Sequence, residues 1–492
     1  MPELENDIDE DDDDPFATAA RPSFHHTRSI EWPDPSTIEG ITEHQRSELA
    51  KSMVGNIGLF SGLAGTGKTH SLARLIKTVV DQNPHAQIRM MAPTGKAAQR
   101  MSEMTSEIGL SVRGTTIHTG LVPQRNGHDG GGWGFFHNES NPLYAHLVIL
   151  DESPMISADL MRPALSAINP GTKVLFVGDT NQLAPVGKGR PYADMIEAGL
   201  PHGHLTELHR FAGRIARVCK QICNGEHWTP SPKIDLDAEE FPENMRHVEC
   251  NDSQRIETLK KVLEQLRGNR GFDLYEDVQV LCATNDLRVS LNAFLQTMLN
   301  PHGETVKGSL YRLNDKVICT RNQWIDQDWD ERRRPVDNPK HYIANGESGV
   351  VSKIDSTFVA IDVDGGGTRK TLRFPKSSWV DVDLAYAITV WKAQGSQWKA
   401  VIPVTENNAD RFVDRSYWNT AFSRGGVITL SLGRRAVIDR QCMRAGLQAR
   451  KTLLKEKIQK WLKPADEEQE EQEHELELAS QGVTDDDDFS DV

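Results

Sequence analysis

Ile57-Gly-Leu-Phe-Ser-Gly62-Leu-Ala-Gly65-Thr66-Gly67-Lys68-Thr69 is the stretch that decides the fold. Ile57–Phe60 reads as a buried strand, and the residues from His70 onward suit a helix. Between them the chain satisfies G-x-x-x-x-G-K-[ST]. Each residue type has a reason. The glycines let a loop wrap phosphates with backbone N–H groups, and a helix N-terminus adds partial positive charge. Lys68 reaches the terminal phosphates, and the Thr69 hydroxyl suits Mg²⁺. A glycine-rich turn can match this pattern by chance; the strand before it and the helix after it favour a site for ATP and Mg²⁺.

Further along, the apolar run Leu147–Leu150 ends in Asp151-Glu152. At the end of a buried strand the first carboxylate suits Mg²⁺ and the second suits a general base for water. Acids also follow strands simply because loops are wet. A third run, Val174–Val177, leads to Gly178-Asp179-Thr-Asn-Gln182, which puts an amide at a strand's C-terminal end, in reach of a γ-phosphate. From Ile57 to about Leu208, strand-like runs (Ile88–Ala92 among them) alternate with helix-compatible segments, Ser71–Asp81 and Ala97–Ile108. That alternation predicts an α/β fold with a parallel sheet. A second such pattern carries Val278–Cys282, Val401–Val404 and Val427–Leu430. The β-rich stretch Asp315–Trp379 reads as a small barrel or sheet inserted into it.

With 492 residues, the chain has room for two to four domains at roughly 100–200 residues each. No apolar run is long enough to cross a membrane, no secretory leader is visible, and six scattered cysteines fit a reducing cytosol rather than a disulfide framework. Cys219 and Cys223 share a helix face with His227 beyond, which reads as buried packing rather than a zinc site. The net charge of −15 is uneven. Residues 1–14 hold nine acids and residues 465–492 hold thirteen, with no Lys or Arg in either. Residues 15–464 therefore keep 49 of the 71 acids against 56 bases, a body of +7. Residues 1–36 read as disordered, with order expected from near Glu39 and a helix over Ile41–Ala50. Residues 446–464 read as a final amphipathic helix, and 465–492 as a disordered tail.

Several blocks in fixed order resemble one family. They are Gly65–Thr69; Ala92-Pro93-Thr94-Gly95-Lys96-Ala97-Ala98; Thr115-Thr116-Ile117-His118; Asp151-Glu152-Ser153; and Gly178-Asp179-Thr-Asn-Gln182-Leu-Ala-Pro185. Then follow Leu205-Thr-Glu-Leu-His-Arg210-Phe, Asp315-Lys-Val-Ile-Cys-Thr-Arg-Asn322, Asn345-Gly346-Glu-Ser-Gly349, Leu384–Ser396 and Asn419-Thr420-Ala-Phe-Ser-Arg424. Over about residues 40–435 the chain resembles the RecD-like, phage Dda-like branch of superfamily 1B DNA helicases. The resemblance implies two RecA-like domains, 37–208 and 209–314 with 380–445. It also implies a β-hairpin pin at about 121–140 in the first and an SH3-like insertion, 315–379, in the second. It implies ATP-dependent, 5′–3′ movement on single-stranded DNA and unwinding of duplex DNA in replication, recombination or repair.

Carried over by position, Gln45 looks like an adenine reader, with Gly62, Gly65, Thr66, Gly67, Lys68 and Thr69 around the phosphates. Thr69 and Asp151 hold the metal, Glu152 is the base, Gln182 couples to the γ-phosphate, and Arg210 and Arg424 stabilise transition-state charge. Each arginine also fits a plain salt bridge. Pro93, Thr94, Lys96, Thr116, His118, Trp391, Lys392, Gln394 and Ser396 map to the DNA grip, and Trp133, Phe135 and Phe136 to the pin. These rings fit stacking on a base pair or packing of the hairpin equally well, and His118 also fits a packing role. Trp391 stands where the family usually has His, and Pro154 where a small residue is commoner. Arg332–Arg334 follow a row of acids and read as a self-paired surface loop. The acid runs, each beside a Phe (Phe16, Phe489), fit docking of a single-strand-binding or replication protein, competition with DNA, or plain solvation. A translocating subunit of a larger recombination complex is the runner-up. A nucleotide-dependent binding switch is the reading from another class, and the intact Asp151-Glu152 pair weighs against it.

Overall fold

The computed structural model describes residues 30–125, 133–208, 213–234, 243–268, 272–327, 340–343, 345–364, 369–445 and 452–462. Strands of a parallel sheet covered by helices on both sides are apolar along their whole length. β6 (Leu147–Leu150) and β7 (Lys173–Gly178) are buried at every position. They form one parallel sheet with β1 (Ile57–Gly62), β2 (Ile88–Ala92), β3 (Gly114–Thr116) and β8 (His202–Leu205), in the order β3-β2-β6-β7-β1-β8. The register sets Leu150 beside Phe176, and Phe60 beside Val177. The C-terminal ends of β1, β6 and β7 are therefore level, and the loops after them open into one crevice. Each buried Leu, Val or Phe in these strands contributes ~1.5–3 kcal/mol.

A second parallel sheet has the order β18-β10-β19-β20-β9. Its members are β9 (Met245–Glu249), β10 (Val278–Cys282), β18 (Ala387–Thr389), β19 (Trp398–Pro403) and β20 (Gly425–Gly433). Between β10 and β18 the chain builds a seven-stranded antiparallel sheet with its own apolar core around Val351, Ile361, Leu372 and Phe374. Its strands are β11 (Lys316–Cys319), β12 (Gln323–Gln327), β13 (Lys340–Ile343), β14 (Ser348–Ile354), β15 (Phe358–Asp364), β16 (Arg369–Pro375) and β17 (Val382–Leu384). β4 (Pro123–Arg125) and β5 (Trp133–Phe135) pair as a separate hairpin in the first half.

The structure corrects three sequence expectations. Order does not wait for Glu39. Ile30 and Trp32 pack on the first core, Asn83 bonds both the N–H and the carbonyl of Glu31, and Lys173 Nζ sits 5.2 Å from the Trp32 ring centroid. An extended, proline-rich segment docks without leaving a periodic trace. The inserted sheet does not stop at Trp379, because β17 pairs with β11 and closes it at Leu384. The final helix is shorter than expected, Leu454–Leu462, and lies on the first half. Ile458 packs into that half's core, Lys455 Nζ is 3.6 Å from Glu197, and Thr452 Oγ1 donates to Asp194 at 2.9 Å. The acid runs, Arg332–Arg334 and Arg210 lie outside the described residues.

Candidate nucleotide and nucleic-acid site

Gly65 and Gly67 hold φ of +83° and +85°, which only glycine adopts without strain. They turn the chain from β1 into the helix Lys68–Gln82. Gly67 caps that helix and offers it no side-chain bond, so the first-turn N–H groups face the loop. Lys68 Nζ donates to the carbonyls of Gly62 and, at 3.0 Å, of Leu63. Burial pushes its ammonium below the ordinary range, and the charges of Asp179, Glu152 and Asp151 oppose that shift. Gln45 stands behind the loop. Its Nε2 donates to Thr66 O at 3.2 Å, and its Oε1 accepts from Thr42 N at 2.9 Å in a capping box. The amide is engaged at both ends, so it braces the loop.

β6 delivers the carboxylates. Asp151 Oδ1 accepts from Glu152 N at 2.8 Å. Burial, and then the charge of Glu152, pushes Asp151 up to about 6. Glu152 sits in the left-handed region (φ 50°, ψ 40°), a strained place for a non-glycine residue, and is 9 % exposed. Ser153 and Pro154 continue as a short 3₁₀ turn. Pro154 fits because the neighbour on β7 is Gly178, where a β-carbon would overlap the proline ring. Gln182 Oε1 is buried with no hydrogen-bond partner, an acceptor left open in the crevice. No cluster of three or more His, Cys, Asp or Glu side chains is poised to chelate a metal among the described residues. One hydroxyl and one carboxylate, Thr69 and Asp151, are all that Mg²⁺ needs when waters and phosphates fill its other positions.

The second half closes the crevice. Arg424, 4 % exposed, donates to Thr420 O at 3.2 Å and Ser396 O at 3.3 Å, and its Nη1 lies 3.9 Å from Glu152 Oε1. Leu183 is held from across the seam on both its polar atoms: its N–H donates to Thr420 Oγ1 at 3.0 Å, and its carbonyl accepts from Gln394 Nε2 at 3.1 Å. Asn419 Nδ2 donates to Asn181 O at 3.1 Å. One arginine went unnoticed in the sequence. Arg100 Nη1 is 4.0 Å from the same Glu152 oxygen. The signal was its place four residues after Lys96, on the same helix face.

The DNA candidates divide by their surroundings. Gln394 and Ser396 are 2 % and 6 % exposed; the Gln394 amide is bonded across the seam to Leu183 O, and the Ser396 carbonyl accepts from Arg424 within the second half. Trp391 packs at 5.5 Å from Tyr417 and 6.0 Å from Phe412, on the core of the second half. Gln394 is turned to the other half, whereas Trp391 and Ser396 are held within their own. Lys392 Nζ is 3.5 Å from Asp383, which Arg288 also contacts at 3.1 Å. Thr94 and Thr116 cap their helices through Oγ1. Lys96 Nζ lies 4.7 Å from the Trp398 ring centroid, and Pro93 is half-buried. His118 packs between Phe135 (5.9 Å) and Tyr342 of β13 (6.1 Å), joining hairpin to inserted sheet. Phe135 packs inward on the first half, whereas Phe136 is 49 % exposed; the Trp133 side chain lies outside the described residues.

Residues 41–235 match the family model described as an AAA domain. A RecBCD enzyme subunit RecD from Mycolicibacterium smegmatis is 28 % identical over 85 % of this chain and 76 % of that one. An ATP-dependent RecD2 DNA helicase from Deinococcus radiodurans is 28 % identical over 82 % of this chain; the match spans about half (51 %) of that relative. Over most of its length the chain is similar to these RecD-like proteins. A crystal structure of a Bacteroides Pif1 helicase with ADP-AlF3 and single-stranded DNA aligns with a TM-score of 0.45 at 17 % identity, covering 83 % of this chain and 95 % of that one. The matched AAA region ends before the second half, which supplies Arg424 from the turn ahead of β20.

Proposed function

We propose that the chain is an ATP-dependent DNA helicase that moves 5′–3′ on single-stranded DNA and opens duplex at single-strand/duplex junctions. The observation that carries this reading is the convergence of two halves on one carboxylate: Arg424 from the second half approaches Glu152 at the end of a first-half strand. Hydrolysis at such a site is sensitive to how the halves sit, and that is what a motor requires. The backbone of Gly62–Thr69 and Lys68 would bind the phosphates of ATP, while Thr69 and Asp151 would hold Mg²⁺, which neutralises phosphate charge. Glu152 takes a proton from the attacking water, and Gln182 offers its open acceptor to orient it. Arg424 faces the developing charge, a role worth ~10³–10⁵ in rate for such arginines; Arg210 is assigned the same role from its motif position alone.

The exposed Phe136 on the hairpin is the ring suited to stack on a terminal base pair, with the SH3-like inserted sheet behind it. A reading as motor subunit of a larger recombination complex draws support from the relative named as a RecBCD subunit. Both readings are tested on 5′-tailed, 3′-tailed and blunt duplexes with ATP. The helicase reading expects unwinding of the 5′-tailed substrate alone, lost in Glu152→Gln. Translocation without unwinding on any substrate favours the subunit reading, and absence of DNA-stimulated hydrolysis overturns both.

A further inference from the structure

A cavity of about 470 Å³ lies where three parts of the chain meet. The helix Gly95–Glu107 contributes Lys96 and Arg100, the second half contributes Tyr275 and Trp398, and the inserted sheet contributes Lys316 and Gly349. Its cations fit an anion and its indole fits a base. Lys316 Nζ is anchored on Tyr275 O at 2.8 Å, and Lys96 lies over the Trp398 ring. Glu103, Glu276 and Asp362 also line the cavity, so a bound anion would have to compete with charges already present. A nucleic-acid phosphate with its neighbouring base satisfies both kinds of group.

Arg100 belongs to this cavity and to the nucleotide crevice at once. Its guanidinium lines the cavity and stands 4.0 Å from Glu152 Oε1, the oxygen that Arg424 approaches at 3.9 Å from the other side. At that separation the Arg100 contact is an ion pair without a short hydrogen bond, and its side chain is 41 % exposed. Such a pair is weak and can be exchanged for a better partner. A phosphate in the cavity offers one, since arginine binds phosphate in a bidentate fork.

We infer that Arg100 is a positioning residue: without nucleic acid it holds the Glu152 carboxylate turned toward the helix Gly95–Glu107, and a phosphate in the cavity draws it away. Glu152 is then left to Arg424 and to the attacking water. This rests on the helicase reading above and deepens it, because it gives that reading a route by which single-stranded DNA switches hydrolysis on.

The test is Arg100→Gln in the full chain, with phosphate release measured without and with an oligodeoxythymidylate across ATP concentrations. The DNA-free kcat should rise about twofold to fivefold, the scale of a partly exposed ion pair. The DNA-stimulated kcat should stay near wild type, so that the stimulation ratio falls, and KM for ATP should not move. Arg100→Lys, which keeps the charge, should restore much of the ratio. If Arg100→Gln leaves the ratio unchanged, or lowers both rates together, the inference is wrong. Lys68→Ala run in parallel separates the two claims: if it retains hydrolysis the helicase reading itself fails. If it abolishes hydrolysis while Arg100→Gln matches wild type, only the role of Arg100 fails.

Discussion

The loop after β1 and the segment after β18 make an instructive pair. Both follow a strand of a parallel sheet, and both are rich in the residues that bind polar ligands. In the first, two left-handed glycines keep N–H groups toward the crevice, and Lys68 rests on carbonyls it can leave. In the second, Gln394 is bonded across the seam, the Ser396 carbonyl is taken by Arg424 of its own half, and Trp391 is packed against other rings. The residue types determine which bonds are possible, but the element lying opposite determines which are made. An edge that faces a crevice keeps its polar groups available, while an edge that faces another sheet uses them to join the two.

That contrast can be broken by mutation, the largest effect first. Lys68→Ala should cut kcat for ATP by about 10²–10³, the scale of losing one preorganised charge contact, with melting nearly unchanged. Wild-type hydrolysis in a phosphate-release assay would remove the phosphate role from the first loop. Arg424→Ala should cost about 10³ in kcat. Because it also strips bonds from Thr420 and Ser396 carbonyls, denaturant titration should show a loss of about 1–3 kcal/mol. Gln394→Ala should cost a similar ~1–3 kcal/mol by orphaning the Leu183 carbonyl, while affinity for single-stranded DNA by anisotropy stays near wild type. A tenfold loss of affinity with unchanged melting would instead return Gln394 to the DNA face.

The hairpin gives a smaller version of the same test. Phe135→Ala should lower stability by about 1–2 kcal/mol, since its ring is only partly buried. Phe136→Ala should leave melting alone and reduce unwinding at unchanged hydrolysis. The smallest effect concerns Lys316, whose ammonium burial pushes down to about 7. It is charged below that pH and neutral above it, so an anion in its cavity loses a partner as pH rises through about 7. Single-strand affinity should weaken over that range more steeply in wild type than in Lys316→Met; equal slopes would exclude Lys316 from the contact.

The sequence made the centre of each parallel sheet legible, and the edges much less so. Leu147–Leu150 and Val278–Cys282 are unbroken apolar runs because helices cover both their faces. β3 (Gly114–Thr116), β8 (His202–Leu205), β9 (Met245–Glu249) and β18 (Ala387–Thr389) are edge strands, and all went unread. They are short, and β3, β8 and β9 are largely polar, as an edge with one wet side allows. The phosphate loop was legible because its chemistry is local: spacing along the chain is also spacing in space. The pairing of Arg100 with Glu152, of Gln394 with Leu183 and of His118 with Tyr342 was not, because each joins positions that only the tertiary fold brings together.

Glu152 carries a consequence for how such a chain can evolve. Its left-handed backbone costs about 1–2 kcal/mol that a glycine would not incur. A glycine here would relieve that strain. Two forces oppose that replacement: the hydrolysis that needs the base, and the buried Arg424 that would lose its carboxylate.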